Sequence, residues 1–162
     1  MTTPGIIIIG SGIMGACFAY AAAQRGLSPV IIASDAPDNG KTGTATSWAW
    51  INANSASDKA YFQLRHNSMQ RWQSWMQRLD GLTYSAQDSY CWDLTPNQIQ
   101  STANRLQEWG LPCSVLNAAT LITHLPRLRD IPIAALHVPM EGAVEPVEAA
   151  FQTFLNTTQM RE

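Results

Sequence analysis

Ile6-Ile7-Ile8-Ile9-Gly10-Ser11-Gly12-Ile13-Met14-Gly15 stands almost at the start of the chain, and an alanine-rich stretch carries it on to Gly26. Four β-branched residues in a row predict a strand buried on both faces. The run from Ala16 to Ala23 has no charge before Arg25, which suits a closely packed helix, and Gly26 falls where a helix C′ glycine belongs. Val30-Ile31-Ile32 then reads as a second, parallel strand. Strand, GxGxxG turn, helix and strand in that order form the opening of a dinucleotide-binding βαβ unit. Each glycine has a mechanical task. Gly10 allows the tight turn out of the strand. Gly12 has no side chain, so a diphosphate can approach the backbone. Gly15 lets helix and strand pack closely. The helix N-terminus adds free N–H groups and a partial positive charge. Gly10, Ser11, Gly12, Ile13, Met14 and Gly15 are therefore the candidate diphosphate-binding residues. The competing reading is a glycine turn in an α/β domain that binds no nucleotide; the strand and helix around the turn favour the nucleotide.

A dinucleotide site usually carries an acid at the end of its second strand, about 20 residues past the glycines, to bond a ribose hydroxyl. Here that slot falls on Ala33, with Ser34 and Asp35 next. Asp35 can take the task if the strand end shifts by a residue or two. It can equally just open the turn Asp35-Ala36-Pro37-Asp38-Asn39-Gly40, which has loop composition. No arginine stands at the strand end to accept a 2′-phosphate, which disfavours NADP.

Residues 36 to 47 form a small-residue, hydroxyl-rich loop, and Trp48-Ala49-Trp50-Ile51-Asn52 then changes the character of the chain. Such a loop can wrap phosphate or ribose with its N–H groups. Flanking tryptophans argue against a plain surface connection.

Composition narrows the function classes. The chain has 162 residues, a net charge of −2 and only 14% charged residues. That length suits one domain or one and a fraction. No basic patch marks a nucleic-acid partner. The longest apolar run falls far short of a membrane span, and no basic n-region precedes the isoleucines, so a cytoplasmic location is the default expectation. Cys17, Cys91 and Cys113 are widely spaced and read as buried free thiols, and no metal-ligand spacing occurs. His66, His124 and His137 are scattered and read as structural or exposed.

Further along, residues 58 to 79 predict a helix ended by Gly81, with an apolar stripe of Tyr61, Leu64, Met69, Trp72, Trp75, Met76 and Leu79. Residues 82 to 94 read as extended. Thr95 and Pro96 cap and open a helix to Gly110. A short extended piece covers 111 to 116, and a short helix follows from 117 to 125. Ile133 to Pro139 predicts a strand, Met140-Glu141-Gly142 a turn, and Pro146 the start of a last helix reaching about Thr157.

Taken in order, these segments resemble the N-terminal part of the FAD-dependent amine and amino-acid oxidoreductases, the family of D-amino-acid oxidase, glycine oxidase and sarcosine oxidase. Four features carry the resemblance: the opening Ile6-to-Gly15 segment; Ala45-Thr46-Ser47-Trp48-Ala49, similar to the family's small-Ser-Trp-Ala flavin loop; the long helix after it; and Ala134 to Pro139 leading into Gly142-Ala143-Val144-Glu145-Pro146, similar to its Gly-x-Val-(Asp/Glu)-Pro turn. The resemblance implies an α/β fold, with a Rossmann-like FAD-binding part over 1–80 and 141–162 and part of an α+β substrate domain over 81–140. It implies FAD as cofactor, held by the glycine turn, by Ser34 and Asp35 beside Ala33, and by Ala45, Thr46, Ser47 and Trp48, with Trp48 bordering the flavin ring.

The resemblance also implies oxidation of a C–N bond in a small amine or amino acid, by hydride transfer to flavin. Family members are more than twice this length, so the chain is expected to be a fragment whose partner is the remaining C-terminal half. Arg65, His66 and Tyr90 are weak candidates for chemistry; no catalytic acid or base stands out. Two other readings stay open: an NAD-linked Rossmann dehydrogenase, and a scaffold that has lost its cofactor.

Overall fold

The isoleucine run forms strand β1 (Ile6–Ile9), paired in parallel with β2 (Pro29–Ile32), so that Ile7 lies opposite Val30 and Ile9 opposite Ile32. Helix α1 (Ile13–Ala23) connects them, completing the βαβ unit that the sequence predicts. Gly26 closes the connection with φ +74°, a left-handed backbone that suits glycine. The structure, a computed structural model, describes residues 5–37, 39, 41–79 and 81–159. Asp38 and Gly40 of the predicted turn after β2 lie outside the described residues.

The chain folds as two compact units: residues 1–50, 71–85 and 143–162 form the first, and 51–70 and 86–142 the second. In the first, α1 presents Ala16, Ala19, Tyr20 and Ala22 as its buried positions. These side chains are mostly small, so α5 (Pro146–Gln159) packs closely against α1, with Ala149, Ala150 and Thr153 fully buried. The hydroxyls of Thr153 and Thr157 donate to the carbonyls one turn back, at 2.6 and 2.8 Å, which satisfies them without a partner outside the helix. Trp75 meets Tyr20 edge-on, with ring centroids 5.1 Å apart.

The isoleucine run predicts a strand buried on both faces, but only one face is covered. Ile8 is buried close to Gly15, whereas Ile7 and Ile9 are 59% and 87% exposed, and Val30 and Ile32 open to the same side. Side chains alternate along a strand. The sheet of the first unit has two strands, and among the described residues nothing layers its second face.

The second unit is organised by β6 (Ala134–Val144), which pairs with β3 (Trp50–Ile51), β4 (Tyr84–Cys91) and β5 (Ser114–Asn117). β5 runs antiparallel to it, Val115 opposite Leu136. One face of this sheet contributes Leu136 and Val138 to a core with Phe62, Met69, Ile99, Ala103, Leu106 and Leu111. Ile99, Ala103 and Leu106 recur along α3 (Pro96–Glu108), whose start is fixed by a capping box between Thr95 and Gln98. α4 (Ala118–His124) is capped by the Asn117 side chain, which accepts the Thr120 N–H at 2.9 Å.

Two further boundaries differ from the sequence reading. Helix α2 (Lys59–Met76) stops before Gly81, and its buried positions include Phe62 and Met69 while Tyr61 and Leu64 face solvent. The predicted stripe holds at Met69 and Leu79 and misses at its start: Phe62, one position past Tyr61, is the residue that aligns with Met69 two turns on. Met140-Glu141-Gly142 is not a turn. β6 runs straight through it, with Met140 at φ +64° and Glu141 buried.

Candidate functional site

The glycine turn forms one wall of a cavity of about 730 Å³. Gly10 through Gly15 line it, as do Ala33, Ser34, Asp35 and Ser47. Ala45, Thr46 and Trp48 do not. The first two belong to a 3-10 turn, Gly43–Thr46, where the Thr46 hydroxyl donates to the Gly43 carbonyl at 3.0 Å. Trp48 is 91% exposed. Lining residues outside the predicted set are Ile9, Ile32, Lys41, Thr42, Gly43 and Thr44.

Local hydrogen bonds give the cavity its shape. Gly10 donates its N–H to the Ile32 carbonyl at 2.8 Å, which ties the glycine turn to the end of β2. The Ser11 hydroxyl adds a second tie, donating to the Asp35 carbonyl at 2.7 Å. Gly15 is required by space. A Cβ there would lie 2.0 Å from the Gly10 carbonyl oxygen. At Gly12 a Cβ would lie 2.9 Å from Thr44 Oγ1. That oxygen accepts the Ile13 N–H at 2.9 Å, so one N–H at the head of α1 already has a partner. The threonine contact is not legible in sequence, because it joins residues 31 apart.

Electrostatically the cavity is close to neutral. Among its described lining residues the charges are Asp35 and Lys41, whose Oδ1 and Nζ lie 3.9 Å apart. Ser34 donates its hydroxyl to Asp35 Oδ2 at 2.9 Å. Ala33 has no group to offer a ribose, and the carboxylate at this end of the cavity belongs to Asp35. Thr42 adds an unpartnered group: its hydroxyl oxygen is buried with no hydrogen-bond partner. A buried hydroxyl without a partner carries a free-energy cost that a bound polar group removes. The head of a helix, glycines that a side chain would crowd and this orphan hydroxyl fit the diphosphate and ribose of a dinucleotide.

Away from the cavity, the weak candidates all have structural duties. The Arg65 guanidinium donates to the carbonyl of Asn52 at 3.1 Å, to Ser55 Oγ at 2.8 Å and to the Asn52 side-chain oxygen. His66 stacks on Phe62. Tyr90 stacks on His137 at 5.0 Å and hydrogen-bonds His124 Nδ1 at 3.0 Å. His137 Nε2 in turn meets Asp88 Oδ2 at 2.8 Å. That hydrogen bond holds the Asp88 carboxyl below the usual carboxylate range. Glu141, expected in a turn, has a buried carboxylate instead. It accepts the N–H groups of Ala53 and Asn54 at 3.0 and 3.3 Å, the Asn54 amide at 2.9 Å and the Ser89 hydroxyl. The three cysteines are unpaired, as expected, though partly rather than fully buried. Among the described residues no cluster of His, Cys, Asp and Glu has the arrangement of a metal site, and no helix is long and apolar enough to cross a membrane.

A parallel βαβ unit with a glycine turn facing an open cavity defines a dinucleotide-binding α/β domain. Residues 5–153 match the family described as DAO, FAD dependent oxidoreductase, and the chain belongs to that family. No curated protein matches the sequence. Among solved structures, L-proline dehydrogenase from P.horikoshii superposes with a TM-score of 0.85 at 20% identity, over 98% of this chain and 42% of that one. Glycine oxidase from Bacillus cereus ATCC 14579 gives 0.85 at 17% identity, over 98% and 44%. FAD-bound L-alpha-glycerophosphate oxidase from Mycoplasma pneumoniae gives 0.83 at 15%, over 99% and 44%. The chain thus spans less than half the length of these structures.

Proposed function

We propose that this chain is the FAD-binding part of an oxidoreductase that oxidises C–N bonds of small amines or amino acids. The observation that carries the reading is the cavity: the glycine turn, the strand-end residues and the hydroxyl-rich loop converge on one open volume. FAD, when bound, supplies the acceptor for the hydride removed from the carbon beside the amine.

The protein's own contribution is binding and orientation. Gly12 leaves the backbone open to the diphosphate, and the N–H groups of Met14 and Gly15 at the head of α1 attract its charge, while the Ile13 N–H is held by Thr44 Oγ1. Ser11 keeps the turn against β2 while the Thr42 hydroxyl finds the partner it lacks. Ser34 and Asp35, beside Ala33, bond the ribose. Ser47, which lines the cavity, borders the phosphates and ribityl chain; Ala45, Thr46 and Trp48, outside the lining, reach the cofactor only if its flavin end extends past Ser47, with Trp48 bordering the ring. A cytoplasmic location belongs to the same proposal, supported by three unpaired thiols.

The partner we propose is the remaining part of an oxidoreductase of the neighbours' length. Its support is the open aliphatic face of Ile7, Ile9, Val30 and Ile32, since parallel sheets occur almost only with both faces covered. Titration with FAD, followed by flavin fluorescence, tests the cofactor reading. Weak, saturable binding is expected, lost in Gly12→Val, whose side chain would enter the space held by Thr44 Oγ1. NADH binding with no FAD binding would point to the dehydrogenase reading. Binding of neither would point to a cofactor-free scaffold.

A further inference from the structure

Ser114, His137 and Asp88 form a hydrogen-bonded chain across the sheet of the second unit. β6 pairs with both β5 and β4, and Ser114 stands opposite His137 in the β5–β6 register. Leu136 and Val138 belong to the core, so alternation along β6 puts the His137 ring on the other face. The Asp88 carboxyl, held below the usual carboxylate range by His137, is ionised at neutral pH and only accepts hydrogen bonds. Neutral His137 therefore carries its proton on Nε2, 2.8 Å from Asp88 Oδ2, and keeps a lone pair on Nδ1. The Ser114 hydroxyl donates to that lone pair at 3.3 Å. Tyr90 stacks on the imidazole with ring centroids 5.0 Å apart, which fixes its plane and favours the imidazolium that proton uptake makes. A hydroxyl bonded to an imidazole that a carboxylate orients is the arrangement of an activated nucleophile. Ser114 is half-buried and the Asp88 side chain is 43% exposed, so a small reagent reaches the chain from solvent.

We propose that Ser114 is a covalent modification site, acylated by small activated acyl donors such as aryl esters, with His137 as general base and Asp88 as the residue that positions it. The bond that forms joins Ser114 Oγ to the acyl carbon, and the bond that breaks joins that carbon to the departing aryl oxide. The serine proton passes to His137 Nδ1, and from there to the aryl oxide or to water. Activated donors are the class that fits, because their leaving group departs without help from a positioned acid. None of these residues lines the dinucleotide cavity, and the reaction does not depend on FAD.

The probe is p-nitrophenyl acetate, applied to the folded chain, with peptide mapping by mass spectrometry as readout. Ser114 is expected to be acetylated at least about 100-fold faster than Ser57, an exposed serine whose hydroxyl donates to Asp58 instead of an imidazole. His137→Gln and Asp88→Asn are expected to slow acetylation of Ser114 by roughly 10²- to 10⁴-fold and to leave Ser57 unchanged, and Asp88→Glu to recover part of the rate. A cluster that only ties three strands together would show none of these rate changes. The comparison of Ser114 with Ser57 inside the wild-type chain decides the matter if neither variant folds. Equal rates at the two serines, acetylation confined to lysines, or an unchanged Ser114 rate in folded His137→Gln would each overturn the assignment and leave the FAD reading standing.

Discussion

Replacing Gly15 by alanine isolates the contact that holds the first strand, the glycine turn and the first helix together. Alanine is the better helix former by about 0.8–1.0 kcal/mol, so propensity alone predicts a more stable protein. Space predicts the opposite. The added Cβ would lie 2.0 Å from the Gly10 carbonyl oxygen, 3.0 Å from its carbon and 3.5 Å from Ile8 Cγ2. Two of these atoms are backbone, so no rotamer change relieves the clash. Gly10 cannot retreat freely either, because its N–H is bonded to Ile32. Helix α1 must move off β1 by about an ångström. Overpacking costs typically about 1–3 kcal/mol, and a backbone clash belongs at the top of that range. Taking about 3 against a gain of about 1 leaves a net loss of about 2 kcal/mol. At about 2–4 °C per kcal/mol for this chain length, the melting temperature should fall by roughly 4–8 °C. Thermal unfolding followed by far-UV circular dichroism measures it. Gly43→Ala is the control, since a Cβ there meets nothing within 4 Å. A Gly15→Ala protein melting at or above the wild type would refute the packing argument and leave propensity as the dominant effect.

Further tests probe other parts of the molecule. Glu141→Ala strips four donors of their buried acceptor, and each orphaned donor costs about 1–3 kcal/mol, so urea unfolding should show a loss of at least about 3 kcal/mol. Glu141→Gln, which keeps one acceptor oxygen, should lose less; equal losses would argue against the hydrogen-bond account. Burial pushes the Cys17 thiol up to about 12 and the Cys91 thiol up to about 11, and raises Cys113 as well. Peptide mapping after iodoacetamide treatment of the folded protein should therefore find Cys17 modified last, and early labelling there would contradict its burial. The hydrogen bond from His137 lowers the Asp88 pKa in the folded state. Its stabilising effect is therefore present above the ordinary carboxylate pKa of about 3.9 and is lost as pH falls through the lower folded value. Asp88→Asn should flatten the acid limb of a stability–pH curve, and an unchanged limb would show that the pair does not contribute.

The legible parts of this chain are those whose causes are local in sequence. Gly10, Gly12 and Gly15 announce a turn because glycine is the residue that such a turn requires, and Thr95 with Gln98 announces a helix start because both partners lie within one turn. Family pattern added the order of the segments and the loop at Ser47. Illegible were contacts whose partners lie far apart in sequence: Thr44 on Ile13, Glu141 on Asn54, His137 on Asp88. A threonine in a small-residue loop and a glutamate in a Met-Glu-Gly stretch carry no mark of the group they will meet.

The isoleucine run failed in a more instructive way. Its composition reports the environment for which a strand is suited, buried on both faces, whereas this sheet covers one. Ile9, 87% exposed, is thus a sequence signal for a layer that the described residues do not supply. An Ile7→Ser/Ile9→Ser variant separates the two explanations. If the open face is ordinary surface, the double substitution changes little. If it is a docking face, the variant should be more soluble than the wild type as an isolated chain, and it should fail to associate with the remaining part of a full-length oxidoreductase supplied in trans. Retained association, measured by co-purification, would mean that the apolar run at the head of this chain serves only its own helix.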